Sequence, residues 1–384
     1  QQYSGTYNIP NTVETIAAYA FSGCTNLTGV SIPSSVKEMG NYAFSSCSNL
    51  QNVSIANGID TLSVCAFSGC NNLININIPN SVTSIGDSAF RDCKSLTNIA
   101  IPSSVESIGA SAFYWCSGLT SINISNGVTS IGSSAFYGCS SLTSIVVPGS
   151  VKDIGIMAFG FCTSLKEVIL EEGVETIGLR AFSSSYTYGE GACKALEKVS
   201  LPSSLKSIEE RAFAYCSSLK EISIPSGEIG AYAFQACTGL LSATIGNGVT
   251  TIDDNAFNSC SSLISINISS SVTDIGGNAF YYCRSLTSVN IPSSVTNIGD
   301  NAFNGCSSFT EITVSEDNAN YSSYGGILFN KERTEIIRVP QQYSGTYNIP
   351  NTVEKITSYA FSGCTNLTGV SIPSSVREMG SYAF

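Results

Sequence analysis

The side chains that most often carry out catalysis are scarce in this sequence. Its 384 residues include no histidine, which is the commonest general base. Adjacent acidic residues occur at 171–172, 209–210 and 253–254, and a pair of carboxylates can hydrolyse glycosides. Neighbouring carboxylates on a turn are more often solvated surface, so we predict no catalytic residue and no enzymatic activity.

The sequence also contains no motif for binding a metal ion or a phosphate group. Asp253, Asp254 and Asp300 could contact calcium, but no dense loop of oxygen ligands accompanies them. No glycine-rich segment lies between a strand and a helix, where phosphate-binding loops lie. The sequence therefore predicts neither a metal site nor a cofactor.

Cysteine is the remaining reactive residue. Nearly all of its fifteen copies occur at one fixed position of a sequence repeat. All except Cys65 follow a recurring phenylalanine by three residues, once an eight-residue insertion within 183–192 is subtracted. Disulfide frameworks usually have an even number of cysteines, and zinc sites use close clusters that often include histidine. One thiol per repeat instead predicts a ladder of free, buried thiols.

The unit that positions these thiols is clearest in residues 96–118, which span 23 positions. Leu96, Ile99 and Ile101 form the Leu-x-x-Leu-x-Leu pattern of a leucine-rich repeat. Ile99 and Ile101 are two residues apart, so both are predicted to lie on the buried face of a short strand. Val105 and Ile108 then return along a second side of the coil.

The rest of the unit closes the coil. We expect Gly109 to supply a turn with positive φ. Ala112, Phe113 and Cys116 are predicted to form a helical turn that places an aromatic ring and a thiol in the interior. A single coil cannot bury these groups alone, whereas stacked neighbours can.

The recurring phenylalanine predicts an α/β-type repeat solenoid. It marks fifteen repeats, mostly 23 residues apart, at positions 21, 44, 67, 90, 113, 136, 159, 182, 213, 234, 257, 280, 303, 361 and 384. We expect a curved, right-handed leucine-rich-repeat superhelix with a parallel sheet on its concave face.

The breaks in the repeat predict four segments. Residues 1–12 are the end of an inter-array spacer, and 13–314 form a thirteen-coil array. Residues 315–349 form a hairpin-like spacer, with strands expected within 327–339, and 350–384 begin a second, truncated array. Since 1–44 and 341–384 are nearly identical, we expect a fragment of a longer chain with a large superrepeat.

One candidate binding surface lies on the outward strand positions. Most of these are Ser, Thr and Asn, but three consecutive repeats carry a mixed-charge zone made of Lys166, Glu167, Glu197, Lys198, Lys220 and Glu221. The zone has two interpretations, a partner site or cross-strand ion pairs that favour solubility.

A second candidate lies between the recurring phenylalanine and cysteine. Three successive repeats carry aromatic side chains there, at Tyr114, Trp115, Tyr137 and Phe161. Aromatic residues are frequent hot spots of binding. The alternative interpretation is that the rings merely pack over the convex face.

The recurrent Ile-Pro-Ser-Ser-Val-x-x-Ile-Gly-x-x-Ala-Phe-x-x-Cys-x-x-Leu resembles the BspA-type leucine-rich repeat over nearly the whole chain. Members of that family are surface or secreted proteins of anaerobic bacteria and mucosal protists, and they have no catalytic residues. The resemblance implies adhesion to a host extracellular-matrix or cell-surface protein or glycan.

Charge and hydropathy disfavour two classes of function. The net charge of −11 argues against nucleic acid, which favours a basic face. The sequence contains no run of 18 apolar residues, so it predicts no membrane span. The alternative to an adhesin is a purely structural stalk that displays other domains at a cell surface.

Overall fold

The computed structural model describes residues 4–183 and 189–384. The centre of the insertion expected within 183–192, namely 184–188, lies outside the described residues. The chain divides into two compact units, Gln1–Ser204 and Leu205–Phe384. Within the described residues the regular structure consists of thirty-four strands and no helix.

In the first unit each coil contributes one strand to each of two sets, and every pairing is parallel. The first set contains β1 (Gly5–Asn8), β3 (Leu27–Ile32), β5 (Asn52–Ile55), β7 (Asn75–Ile76), β9 (Asn98–Ala100), β11 (Ser121–Asn123), β13 (Ser144–Val147), β15 (Glu167–Leu170) and β17 (Lys198–Ser200). The second contains the two-residue strands β2 (Thr15–Ile16), β4 (Glu38–Met39), β6 (Thr61–Leu62), β8 (Ser84–Ile85), β10 (Ser107–Ile108), β12 (Ser130–Ile131), β14 (Asp153–Ile154) and β16 (Thr176–Ile177).

The second unit repeats this arrangement. Its longer strands are β19 (Glu221–Ser226), β21 (Ser242–Gly248), β23 (Ser265–Ile268), β25 (Ser288–Ile291) and β27 (Glu311–Val314). Its short strands are β18 (Ser207–Ile208), β20 (Glu228–Ile229), β22 (Thr251–Ile252), β24 (Asp274–Ile275) and β26 (Asn297–Ile298). They pair in parallel from β18 to β26.

An antiparallel insertion then interrupts the second unit. β28 (Tyr321–Tyr324), β29 (Ile327–Asn330) and β30 (Glu335–Arg338) pair antiparallel, so both strands expected within 327–339 are formed. β31 (Gly345–Asn348), β32 (Lys355–Ile356), β33 (Leu367–Ser371) and β34 (Glu378–Met379) resume the parallel pattern. β32 pairs with β30, which joins the new coils to the insertion.

The interior of each unit is a ladder of phenylalanine rings. Phe113 and Phe136 are fully buried, with ring centroids 5.3 Å apart and planes inclined by 5°. Phe213 and Phe234 in the second unit stack in the same way at 5.4 Å. Each ring is covered by the ring of the neighbouring coil, which no isolated coil could provide.

The segment expected to be a helical turn forms a series of tight turns instead. Phe113 donates its backbone N–H to the carbonyl of Ala135 in the next coil at 2.7 Å, whereas Cys116 donates within its own turn to Phe113 at 3.1 Å. Since alternate N–H groups bond to the neighbouring coil, they are not available for the i to i−4 bonds of a helix.

The expected positive φ at Gly109 is wrong. Among residues 109–116 the left-handed positions are Ser111, with φ 54°, and Trp115, with φ 55°. Gly109 is required for a different reason, since a Cβ there would lie 2.6 Å from Oδ1 and 2.7 Å from the backbone nitrogen of Asp87 in the preceding coil. The glycine allows close approach of successive coils.

The structure thus confirms a parallel-strand solenoid with the 23-residue spacing of leucine-rich repeats. It does not confirm the α/β class, because the described residues form no helix. The right-handed course and the curvature stay predictions, as do the four segment boundaries. Within 4–183 and 189–384, no helix is long and apolar enough to cross a membrane.

Candidate binding surfaces

The tight turns position the residues between each phenylalanine and cysteine at the edge of the coil. Trp115 donates its N–H to the carbonyl of Tyr137 at 2.7 Å, and Gly138 donates to Gly160 in the following coil at 2.8 Å. Residues separated by one repeat are therefore held side by side. Their side chains project from the edge, whereas Phe113 and Cys116 point into the core.

Tyr114, Trp115, Tyr137 and Phe161 come together as the sequence predicted, in a cluster that we call the aromatic platform. Tyr114 and Tyr137 stack at 5.0 Å, and Trp115 lies 6.2 Å from Tyr137, edge to face. Phe161 is 5.6 Å from Trp115 and 5.2 Å from Tyr137, although it lies two coils away from Trp115. All four rings are partly exposed.

A glycine packs directly against each of two of these rings. A Cβ at Gly138, where φ is 78°, would lie 2.7 Å from the ring of Trp115. A Cβ at Gly160 would lie 2.8 Å from the ring of Tyr137. The rings therefore lie flat on the backbone of the next coil, and this makes the platform continuous over three coils.

Trp115 and Phe161 adopt a backbone conformation that bulky side chains disfavour. Their φ angles are 55° and 57°, in a region that costs L-residues about 1–2 kcal/mol. The same position in other coils is held by small residues such as Ser46, Gly138 and Ser259, all with positive φ. The positive φ is therefore a property of this coil position, shared also by Tyr282, and it is not specific to the aromatic platform.

One end of the platform is charged. The guanidinium of Arg91 lies 4.9 Å from the ring centre of Tyr114, within cation–π range. Arg91 also pairs with Asp92 at 3.4 Å, and both side chains are substantially exposed. The platform is therefore an apolar surface with a cation and a carboxylate at its rim.

The mixed-charge zone is only partly brought together. Nζ of Lys198 lies 2.8 Å from the carboxylate of Glu167, and these residues are register partners on β17 and β15. Lys166 and Glu197 are exposed nearby, and the Lys166 carbonyl accepts the Glu197 N–H at 2.9 Å. The observed pair fits the cross-strand interpretation.

Lys220 and Glu221, the other members of that zone, belong to the second unit. Both are exposed, and Glu221 opens β19 opposite Ser242 of β21. The carbonyl of Lys220 accepts the N–H of Leu241 at 2.8 Å. A role in binding for any of these charged residues stays a prediction.

The thiols are free, as the sequence predicted, and most are buried. Cys139 donates its S–H to the carbonyl of Phe113 at 3.3 Å, and Cys237 donates to Phe213 at 3.2 Å. Burial raises the pKa of Cys139 well above its ordinary value. A neutral, enclosed thiol is a poor nucleophile, so these cysteines act as small core residues.

The acidic residues considered for calcium do not assemble. Asp254 uses Oδ1 to accept the N–H of Gly277 at 2.6 Å, and Asp253 accepts the N–H of Asp254 at 2.7 Å. Within 4–183 and 189–384, no three His, Cys, Asp or Glu side chains are grouped so that they could hold a metal ion.

A cavity that the sequence analysis missed lies within the second unit. It has a volume of about 610 Å³ and lies between the end of the row β18–β26 and the strands β30, β32 and β34. We call it the junction cleft. It is lined by residues 298–304 on one side and by side chains such as Glu335, Arg338, Lys355 and Tyr359 on the other.

These features define the chain as a leucine-rich-repeat solenoid with an edge platform and a junction cleft. The family model described as "BspA type Leucine rich repeat region (6 copies)" matches residues 4–108, 83–190, 184–310, 227–346 and 341–384. The chain belongs to this family of BspA-type leucine-rich repeat proteins.

A solved structure shows the same architecture. A leucine-rich repeat protein from Bacteroides ovatus is 28% identical with a TM-score of 0.60, and the match covers 99% of this chain and 86% of that one. A leucine rich cell surface protein from Faecalibacterium prausnitzii is 25% identical with a TM-score of 0.44, covering 97% of this chain and 89% of the other. No curated protein matches the chain.

Proposed function

We propose that this chain is a non-enzymatic cell-surface or secreted protein that mediates adhesion by binding a host extracellular-matrix or cell-surface protein or glycan. Membership of the BspA-type family supports this proposal, since that family is associated with cell surfaces. The observation that carries it is the aromatic platform around Trp115. A partly exposed cluster of aromatic rings is a typical anchor for a macromolecular partner.

The platform supports binding more strongly than the charged zone does. Four rings from three coils are in contact there and are partly exposed. Lys198 and Glu167 already neutralise one another at 2.8 Å. An exposed ion pair of this kind contributes little to stability and presents no net charge to a partner.

The stalk hypothesis makes a different prediction about the platform. If the coils serve only as a spacer, the rings contribute nothing beyond covering the edge of each coil. Their removal would then leave every interaction of the chain unchanged. The two hypotheses are therefore separated by substitutions that keep the fold and remove the rings.

The test is the double substitution Trp115→Ser and Phe161→Ser, measured by binding of the purified chain to immobilised extracellular-matrix proteins, mucins and glycans. Serine occupies the same coil position at Ser46 and Ser259 with positive φ, so the fold should be retained. We expect affinity to fall about thirtyfold or more, because the loss of even one hot-spot aromatic costs about 2 kcal/mol.

Tyr282→Ser provides a matched control. Tyr282 has the same coil position and a positive φ of 56° in the second unit, and it is 42% exposed. This substitution should leave binding unchanged. Equal binding by the wild-type chain and the Trp115→Ser, Phe161→Ser variant would reject the platform and favour the stalk.

A further inference from the structure

The junction cleft exists because two rows of short strands do not join. β26 ends the row of the first coils in this unit, whereas β34, β32 and β30 form a separate sheet with the antiparallel insertion. The space between them is about 610 Å³, within the range of 300–1,000 Å³ typical of small-ligand sites. It is distinct from the aromatic platform, which lies in the other unit.

The charged groups of the cleft largely offset one another, since it is lined by the carboxylates of Asp300, Glu335 and Glu378 and by the cations of Arg338 and Lys355. Nζ of Lys355 lies 2.8 Å from the carboxylate of Glu335 and 3.9 Å from that of Glu378. These residues lie on three neighbouring strands, β32, β30 and β34. The wall therefore presents polar atoms without a strong field of either sign, which disfavours a highly charged ligand.

Arg338 adds a buried donor to the same wall. It is only 5% exposed, and its terminal nitrogens donate to the carbonyls of Tyr359 and Ser362. Its Nε has no hydrogen-bond partner among the described residues. A buried unsatisfied donor is costly, so an acceptor supplied by a ligand would remove that cost.

The opposite wall carries a buried acceptor. Oδ1 of Asn301 is enclosed and has no hydrogen-bond partner within the part of the chain that the structure describes. Asn301 and Arg338 both line the cleft. One wall thus offers an unused donor and the other an unused acceptor, and a hydroxyl group can satisfy either.

The near-identical segments 1–44 and 341–384 provide independent evidence. They differ at only five positions, and three of the five residues in the second segment line the cleft, namely Lys355, Thr357 and Ser358. The first segment has Thr15, Ala17 and Ala18 at the corresponding places. The differences therefore concentrate at the cleft and make its wall more polar.

These polar groups retain capacity for a ligand. The hydroxyl of Thr357 donates to the carbonyl of Ile337 at 2.9 Å and can still accept a hydrogen bond. The hydroxyl of Ser358 accepts the N–H of Ser381 at 3.1 Å and can still donate. Both residues help to position the new coil, but neither uses its full hydrogen-bonding capacity there.

We propose that the junction cleft binds a short, neutral oligosaccharide. Its walls carry both donors and acceptors, and Lys355 is paired with two carboxylates, which suits the many hydroxyl groups of an uncharged sugar. The exposed parts of Tyr321 and Tyr359 line the same space and offer aromatic surface to a sugar ring. This site does not depend on the aromatic platform, so each proposal can fail alone.

The test measures binding of cellotetraose, mannotetraose and lacto-N-tetraose to the full chain by saturation-transfer NMR and calorimetry. The variant combines Lys355→Thr, Thr357→Ala and Ser358→Ala. The first segment carries these same residues at positions 15, 17 and 18, so the coil accommodates them. We expect at least one sugar to bind, and its affinity to fall about tenfold or more in the variant.

The reciprocal variant, Thr15→Lys with Ala17→Thr and Ala18→Ser, is the matched control and should bind as the wild-type chain does. Asn301→Gly is a second test of the site, because glycine adopts the φ of 59° found there and removes the unpaired acceptor. This substitution should weaken binding too, and it keeps the proposal testable if the triple variant fails to fold.

Three outcomes would overturn the proposal. One is that none of the three sugars binds, and another is that a sugar binds equally to wild type, triple variant and Asn301→Gly. The third is that glycylglycine or sialyllactose binds at the cleft more tightly than any of the three neutral sugars. None of these results depends on Trp115 or Phe161, so the adhesion proposal would stand or fall separately.

Discussion

The cysteine of most repeats serves as a hydrogen-bond donor to the preceding coil. Cys116 donates to the carbonyl of Phe90 at 3.0 Å, and Cys162 donates to that of Phe136 at 3.3 Å. Each of these carbonyls also accepts a backbone N–H from its own turn. The thiol is therefore small enough for the core and polar enough to satisfy the second lone pair of a buried carbonyl.

This arrangement makes stability sensitive to alkaline pH. Burial raises the pKa of Cys237 from 9.0 to about 12. Below pH 9 the thiol is neutral in both folded and unfolded chains, so its full contribution is present. As the pH rises above 9, the unfolded chain loses the proton first, and the contribution declines by about 1.4 kcal/mol per pH unit until the folded pKa is reached.

Cys237→Ser isolates this effect, because serine can donate the same hydrogen bond to Phe213 and does not titrate in this range. We expect the difference in free energy of unfolding between wild type and variant to shift in favour of the variant as the pH rises from 8 to about 10. Chemical denaturation at each pH measures it. A difference that is constant with pH would contradict the burial of this thiol.

At the scale of the coil, glycine determines how closely neighbouring turns approach. Gly132 follows β12, and a Cβ there would lie 2.6 Å from the backbone nitrogen of Ala110 in the preceding coil. No side-chain movement can relieve a contact with backbone. The glycine therefore matters for the stacking distance and not for a left-handed conformation.

Gly132→Ala should destabilise the chain by about 1–3 kcal/mol, as overpacking of a tight interior does. Gly369→Ala is a suitable control, since its φ lies outside the left-handed region and its Cβ would meet Thr346 at an ordinary 3.5 Å. Urea denaturation followed by circular dichroism compares the two variants. Equal stabilities would show that successive coils separate more easily than the structure indicates.

The repeat made the buried positions predictable, because the same apolar pattern recurs at fixed spacing. Leu96, Ile99 and Ile101 are buried as expected. The pattern did not reveal that Ser111, and not Gly109, takes the positive φ. That choice depends on where the backbone of the adjacent coil lies, which is a three-dimensional contact without a signature in a single repeat.

Candidate surfaces were predictable to the extent that they follow the repeat. Trp115, Tyr137 and Phe161 meet because they occupy the same or adjacent positions of three successive coils, and Lys198 meets Glu167 because the two residues are register partners in neighbouring coils. The junction cleft lies where the repeat is interrupted, and its shape depends on the pairing of β30 with β32. The clustering of differences between 1–44 and 341–384 was the one available signal.

At the scale of the whole chain, stability is distributed along the stack, because each coil is supported mainly by its neighbours. Phe113 and Phe136 are fully buried between two neighbouring rings each, whereas Tyr382 and Phe384 are 73% and 55% exposed. Local opening should therefore require far more free energy around Phe113 and Phe136 than around these exposed rings.

Native-state hydrogen exchange followed by mass spectrometry tests this distribution. The amide of Phe136, bonded to Ala158 at 2.8 Å, should exchange with an opening free energy at least about 2 kcal/mol higher than amides of residues 378–384. Gly132→Ala should lower protection most in the coils that contain residues 110 and 132, since nearest-neighbour coupling transmits the disturbance stepwise. Uniform loss of protection over the whole chain would mean instead that the coils open together as a single cooperative body.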